Sequence, residues 1–392
     1  MNLQFLMPQE ERLEVIKHKS NLLIGIPKET LYQEKRICLT PDAVQSLVLN
    51  GHQLIVEAGA GILAGYTDKE YADAGAEVTH DTQKVFKCPI LLKVEPLTLS
   101  EIKLIEPETI VLSALQLKTR TTEYFKALSN KKITALAFEF IKDEGGSFPA
   151  VKSLSEIAGT AAVLIAAELM SKENAGKGLL LGNITGVPPT EIVIIGAGTV
   201  AEFASRTALG LGASVKVFDN SITKLQRLQN RLPHRIFTST IQEKALTKAL
   251  RRCDVAIGAL KGKNRTPIVV TETMVSLMKK GAVIIDVSID TGGCFETSEL
   301  TTHENPTFIK NGVVHYGVPN IPSRYAKTAS LSISNIITPI LLQIADSGGL
   351  EELIRHDNGL KNGIYVYHGI ITNKPIADWF HLEFKDLNLF LY

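Results

Sequence analysis

Three groups of residues in this chain have types and spacings that could do chemistry. The first is Gly196-Ala-Gly198-Thr-Val-Ala201, a G-x-G-x-x-A turn between the apolar run Ile192–Ile195 and an alanine-rich amphipathic stretch. Such a turn cradles a dinucleotide. Gly196 permits the tight strand-to-helix turn, Gly198 lets a pyrophosphate approach the backbone, and Ala201 lets the helix sit close to the sheet. The helix start offers unpaired N–H groups to the phosphates. Asp219 ends the next apolar run, about 20 residues on, where a carboxylate can accept ribose hydroxyls and repel a 2′-phosphate. The second group is Lys28, Glu29, Lys35 and Arg36, which share one polar loop before Thr40-Pro41. This loop is either a solvated charged face or, through the two-oxygen fork of Arg36, an anchor for a carboxylate. The third group interrupts apolar strands. Lys93 sits near the end of Cys88–Pro96, pointing either to solvent or to a site. Asp286 and Asp290 fall within and at the end of a strand over residues 282–290. Asp286 reads as structural. The adjacent Gly292 and Gly293 let backbone pass close to a ligand, with Asp290 beside it.

The elements that must position these groups alternate. From Leu22 to about Pro149, short apolar strands alternate with amphipathic helices, one starting at the Thr40 N-cap and stopping at Gly51. After the nucleotide turn the alternation resumes, with a helix over residues 270–281 before the strand carrying Asp286. Two long apolar helices, within 153–170 and 328–346, separate the blocks. The pattern predicts an α/β protein with two Rossmann-like doubly wound parallel-sheet domains, joined by two long helices, with a cleft between them. The expected parts are a helical extension over 1–20, a first domain over 21–149 and a nucleotide-binding domain over 150–326. Residues 327–392 return to the first domain.

Composition narrows the function. The 392 residues are 45% hydrophobic and 21% charged, with a formal net charge of +1, which argues against a nucleic-acid surface. No uninterrupted apolar window reaches membrane-spanning length and the start does not read as a signal peptide, so a cytoplasmic protein without a membrane span is expected. Cys38, Cys88, Cys253 and Cys294 are scattered, which suggests neither a zinc site nor a disulfide framework.

Several motifs in one order make the chain resemble the alanine dehydrogenases and, more distantly, the nucleotide-binding part of transhydrogenase α subunits. They are GIPKE with Arg36-Ile-Cys-Leu-Thr-Pro, VEAGAG at 56–61, LLK ending at Lys93, SEIAG at 155–159, GVPPTEIVIIGAGTVA, DVSIDTGGCFE from Asp286, and YGVPNIPS with Asn320. The resemblance runs from about Leu23 to about Trp379. It implies NAD as coenzyme, reversible oxidation of L-alanine to pyruvate and ammonium, and a homo-hexamer. It places the substrate carboxylate on Arg36 and Lys93 and makes Asp290 catalytic, with Lys93 beside it. It puts coenzyme contacts on Ser155, Gly196, Gly198, Thr199, Val200, Asp219, Lys224, Val318, Asn320 and Ile321.

One position departs from the family. A catalytic histidine is replaced by Gln116, which can donate a hydrogen bond to a carbonyl but cannot exchange a proton near neutral pH. His52, His80 and His315 read as ordinary surface or core residues. A saccharopine-type dehydrogenase, or a transhydrogenase-like NAD-binding protein with weakened catalysis, is the alternative reading.

Overall fold

The computed structural model describes residues 20–31, 33–174, 176–262 and 265–391. The extension expected before Ser20 lies outside the described residues. Six strands open the chain: β1 (Leu23–Ile26), β2 (Gln53–Glu57), β3 (Glu77–Thr79), β4 (Ile90–Leu92), β5 (Ile110–Ser113) and β6 (Thr134–Ala137). Seven more follow: β7 (Glu191–Ile195), β8 (Ser214–Phe218), β9 (Phe237–Ser239), β10 (Val255–Gly258), β11 (Val283–Asp286), β12 (Thr307–Lys310) and β13 (Val313–Tyr316). The last two are β14 (Ile364–Tyr367) and β15 (Ile370–Ile371).

They form an eight-stranded sheet in the order β15-β14-β6-β5-β4-β1-β2-β3 and a seven-stranded sheet in the order β12-β13-β11-β10-β7-β8-β9. Both are doubly wound. The order reverses between β1 and β4 in the first and between β7 and β10 in the second, and ligands bind at such switch points, beyond the carboxyl ends of the strands.

Burial on both faces explains the near-continuous apolar strands. Along β7, Ile192 and Ile194 join the core under one face while Val193 and Ile195 join the core under the other. In β4, Ile90 and Leu92 point one way and Leu91 the other. The sheets are not wholly parallel: β12, β14 and β15 pair antiparallel at the edges. The β12–β13 hairpin turns on Asn311 and Gly312, at φ of 54° and 75°, as a two-residue Asn-Gly loop favours.

Two 21-residue helices, Pro149–Leu169 and Ala326–Asp346, pack on one another and join the two sheets. By length and composition alone each could cross a membrane, but 44% of the most apolar window of each is buried inside the protein. The second is stitched to the first-sheet loop. Ser330 Oγ accepts from Ile37 N at 2.9 Å and Ser334 Oγ from Thr40 N at 3.2 Å. Thr40 therefore holds the N-cap position of helix Pro41–Leu49 without capping it; its hydroxyl faces Ser334 instead.

Two expected elements are shorter than the sequence pattern. The helix over residues 270–281 covers only Glu272–Ser276, capped by Thr271. The strand over residues 282–290 ends at Asp286, so Asp290 lies on a separate helical turn, Ile289–Thr291.

Candidate active site

At the carboxyl end of β7, Gly196 has φ +117°, and a Cβ there would lie 2.4 Å from the Ala259 carbonyl just past β10. The loop can close against its neighbour strand only with glycine. A Cβ on Gly198 would meet nothing within 4 Å. That open cradle stands before the helix Thr199–Gly210, whose first N–H groups have no partner inside the helix. These features fit a pyrophosphate. Asp219 closes the arrangement: its Oδ2 accepts from Ala197 N at 2.8 Å and its Oδ1 from Ser221 N at 2.7 Å. The acid thus shapes the loop, while each oxygen keeps a lone pair for a ribose hydroxyl.

The SEIAG segment lies on the first long helix. A Cβ on Gly159 would sit 2.3 Å from Val200 O, so glycine allows this helix to touch the nucleotide helix. Ser155, one turn earlier, shares that face. Lys224 is exposed in the first turn after Asp219. Val318 and Ile321 bury their side chains in the core, which leaves their backbone for any ligand contact. Replacing Gly196 with alanine should introduce about 1–3 kcal/mol of backbone strain. We expect dinucleotide affinity to fall roughly tenfold or more and the melting temperature to drop, as read by titration and calorimetry.

The glycine pair after Asp290 works differently from expectation. A Cβ on Gly293 would lie 2.7 Å from Asp286 Oδ2, and one on Gly292 2.8 Å from Arg265 Nε. These glycines make room for protein side chains rather than for a ligand. Asp286 is structural, as its position in the strand suggested. Almost fully buried, it accepts from Ser288 N, Cys294 N and Ser298 Oγ and fixes the turn that carries Asp290. Asp290 itself opens to solvent. The protein packed around it raises its pKa, against the Asn320 N–H at 3.0 Å and the charge of Arg36.

Arg36 stands at the facing edge, after β1. It is buried, with Nε and Nη2 donating to the two oxygens of Glu34 at 2.7 and 2.6 Å. Burial alone would raise the pKa of Glu34, but the guanidinium overrides this and holds it at about 2. Glu34 also accepts from Asn320 Nδ2 at 2.9 Å, so one chain of contacts links Arg36, Glu34, Asn320 and Asp290 across the two sheets. Glu95 lies 3.7 Å from Arg36 Nη2 and accepts from Gln116 Nε2 at 2.5 Å. Gln116 is exposed, with left-handed backbone at φ +49°; its N–H and that of Leu115 are both received by Glu139 Oε1.

Lys93 is the first residue past β4, yet it does not present a free ammonium. Its side chain is 0% exposed, and Nζ donates to Glu101 at 2.7 Å with Glu29 at 3.5 Å. The two carboxylates overcome the effect of burial and raise its pKa. Burial in turn pushes Glu29 up to about 7, against the charge of Lys93. Any hold that Lys93 has on a substrate must act through these acids or after one of them lets go.

Sequence reasoning passed over Glu34, Glu95, Glu101 and Glu139. Only Glu34 left a signal, two residues before the arginine it grips. Among the histidines, His315 is buried between Thr297 Oγ1 and Val313 O, a core residue as expected. A separate cavity of about 610 Å³ is lined by Lys35, His303, Tyr316 and Arg324 among others, and Lys35 is the one candidate residue on its wall. No cluster of histidine, cysteine, aspartate or glutamate suited to a metal occurs among the described residues.

Two doubly wound sheets meeting at their carboxyl edges, a cradle fit for a dinucleotide on one and a buried arginine on the other, define the class: a two-domain protein of dinucleotide-binding fold. Residues 25–158 match the N-terminal domain and residues 162–374 the C-terminal domain of "Alanine dehydrogenase/PNT". The chain belongs to the alanine dehydrogenase/PNT family. It is 36% identical to alanine dehydrogenase 2 of Staphylococcus aureus over 366 residues, 93% of this chain and 98% of that protein. Alanine dehydrogenase of Staphylococcus epidermidis is 35% identical over the same length. A solved L-alanine dehydrogenase superposes with TM-score 0.85 at 33% identity, covering 92% of this chain and 99% of the other. A transhydrogenase from Sinorhizobium meliloti, at TM-score 0.77 and 24% identity, covers 90% of this chain and 99% of its own and shares the fold.

Proposed function

We propose that the protein is an NAD-dependent alanine dehydrogenase, interconverting L-alanine with pyruvate and ammonium. The observation that carries this reading is the contact chain Arg36–Glu34–Asn320–Asp290, which joins a buried arginine to a solvent-open carboxylate between the two sheets and so supports a carboxylate anchor beside an acid–base group. Gly196, Gly198 and the N–H groups of Thr199 and Val200 would hold the pyrophosphate of NAD, which when bound would supply a hydride acceptor. Asp219 would take its ribose, Ser155 and Lys224 would flank it, and the 318–321 backbone would border its nicotinamide end. Arg36 keeps donors beyond the pair used by Glu34 and receives the substrate carboxylate on them. Asp290 takes protons from the amine and from the attacking water. Gln116 orients the carbonyl oxygen by hydrogen bond. The cofactor carries the redox chemistry, and the chain supplies alignment and charge.

A homo-hexamer is the assembly we infer. Supporting it, the long helices expose Leu164 and Leu331, and the nearby loop exposes Leu180, Ile184 and Val187, apolar surface that a partner subunit would cover.

The enclosed Lys93 and the Gln116 replacement favour a second reading, an NAD-binding protein of this family with weakened catalysis. NADH oxidation separates the readings. Turnover with pyruvate plus ammonium supports alanine chemistry, and turnover only with 2-oxoglutarate plus lysine supports a saccharopine-type dehydrogenase. Tight NADH binding without turnover supports the weakened-catalysis reading.

A further inference from the structure

We infer that Glu95 is the proton-exchanging group of the carbonyl step, working beside the glutamine at position 116. The inference rests on the alanine reading above. Glu95 lies three residues past β4, at the switch point of the first sheet, and bridges two site residues. Its Oε2 accepts from Gln116 Nε2 at 2.5 Å, while Oε1 is 3.7 Å from Arg36 Nη2. Arg36 already has a bidentate counter-ion in Glu34, so Glu95 is not needed to neutralise it. With Gln116 donating to Oε2, a proton on Glu95 must sit on Oε1, the side facing the carboxylate anchor. The charged groups acting on it are Glu34, Arg36 and Glu29. Burial and a hydrogen bond to the ionised Glu34, which receives this proton in the absence of substrate, push it up to about 8, with Arg36 opposing. The neutral acid is therefore the main form at pH 7, and it carries the proton that the Gln116 amide cannot supply. Lys93 is enclosed by Glu101 and Glu29, and His315 by Thr297 and Val313, so neither substitutes for it.

In the direction of amination, the nitrogen lone pair of ammonia forms a bond to C2 of pyruvate, and the C=O π pair moves to oxygen. That oxygen takes the Oε1 proton of Glu95, leaving a carboxylate, and the nitrogen gives one proton to Asp290. The product is the neutral carbinolamine. In deamination the same step runs backward: ionised Glu95 removes the hydroxyl proton as the C–N bond breaks.

The test uses the full-length protein, NADH, and pyruvate and ammonium kept saturating at every pH. In the unmutated protein kcat should fall as pH rises through about 8, where Glu95 loses its proton. Glu95→Gln should lower kcat about 10²-fold or more and abolish that basic limb. NADH affinity and melting temperature report that the variant is folded. Adding Gln116→His to Glu95→Gln should return about tenfold of the activity, with a new limb in the imidazole range. A Glu95→Gln variant that keeps the wild-type limb overturns the inference, whatever its kcat. Absence of alanine turnover in the unmutated protein sinks the alanine reading and this inference together. Turnover with an unchanged Glu95→Gln pH profile sinks this inference alone.

Discussion

Replacing Asp290 with asparagine is expected to reduce turnover at least about 10²-fold, the usual lower bound for removing a general base. Asparagine keeps an oxygen for the Asn320 N–H, now received at 3.0 Å, so the turn built on Asp286 should survive. NADH affinity should therefore stay within a few-fold of the original. The pH dependence has a definite sign. Protein packed around Asp290 raises its pKa above the ordinary carboxylate value, so the basic form is lost as pH falls through that raised value. The wild-type deamination rate should fall on the acid side, and the asparagine variant should lose the part of this fall that Asp290 contributes while keeping the part due to Glu95. The stability consequence runs the other way. A carboxyl group whose folded pKa is raised disfavours the folded state once ionised, an effect that solvent around Asp290 keeps small, so Asp290→Asn should melt no lower than wild type at neutral pH. Wild-type-like rates in this variant would reject Asp290 as the base.

The second large effect belongs to Arg36, where activity and stability should fall together. Arg36→Ala removes the proposed carboxylate anchor and strands Glu34, which is 3% exposed. Breaking one side of a buried pair costs about 3–5 kcal/mol. The Glu34 pKa, held at about 2 by Arg36, is a folded-state gain. That gain is fully present above the unfolded value of about 4.3 and is lost as pH falls through the folded one. In Arg36→Ala the gain should vanish, so denaturant unfolding at neutral pH should report the loss directly. Arg36→Lys separates the two roles. It keeps a positive charge for Glu34 but cannot grip two oxygens with a planar fork. It should regain part of the stability while kcat/KM stays at least about 10²-fold down. A lysine variant with wild-type kinetics would show that the substrate carboxylate binds elsewhere.

Much of the fold was legible because local chemistry repeats along the chain. Alternating apolar strands gave the two sheets, and the long apolar segments gave the joining helices. The antiparallel β12–β13 edge was passed over in favour of wholly parallel sheets, although Asn311-Gly312 between apolar residues is a strong hairpin signal. The extent of the strand ending at Asp286 was not. The apolar pattern runs on through Val287 and Ile289, but Asp286 folds back onto Ser288, Cys294 and Ser298 and ends the strand. The glycines at 292 and 293 misled for a related reason, since spacing does not say whether the missing Cβ makes room for a ligand or for protein.

By itself, the sequence determined the nucleotide cradle and the acid that follows it, because those parts lie within one strand–helix–strand unit whose geometry its own residue types dictate. It also put Arg36 in a polar loop, but it carried the strand on to Asp290, which lies on a separate turn. Only the tertiary structure decided the electrostatic state of the site. It paired Arg36 with Glu34 and drew Asn320 across to both Glu34 and Asp290. It buried Lys93 between Glu29 and Glu101 and set Glu95 against Gln116. A charge is set by its neighbours in space and by its burial, and here the partners come from other loops as much as from the next residue along the chain.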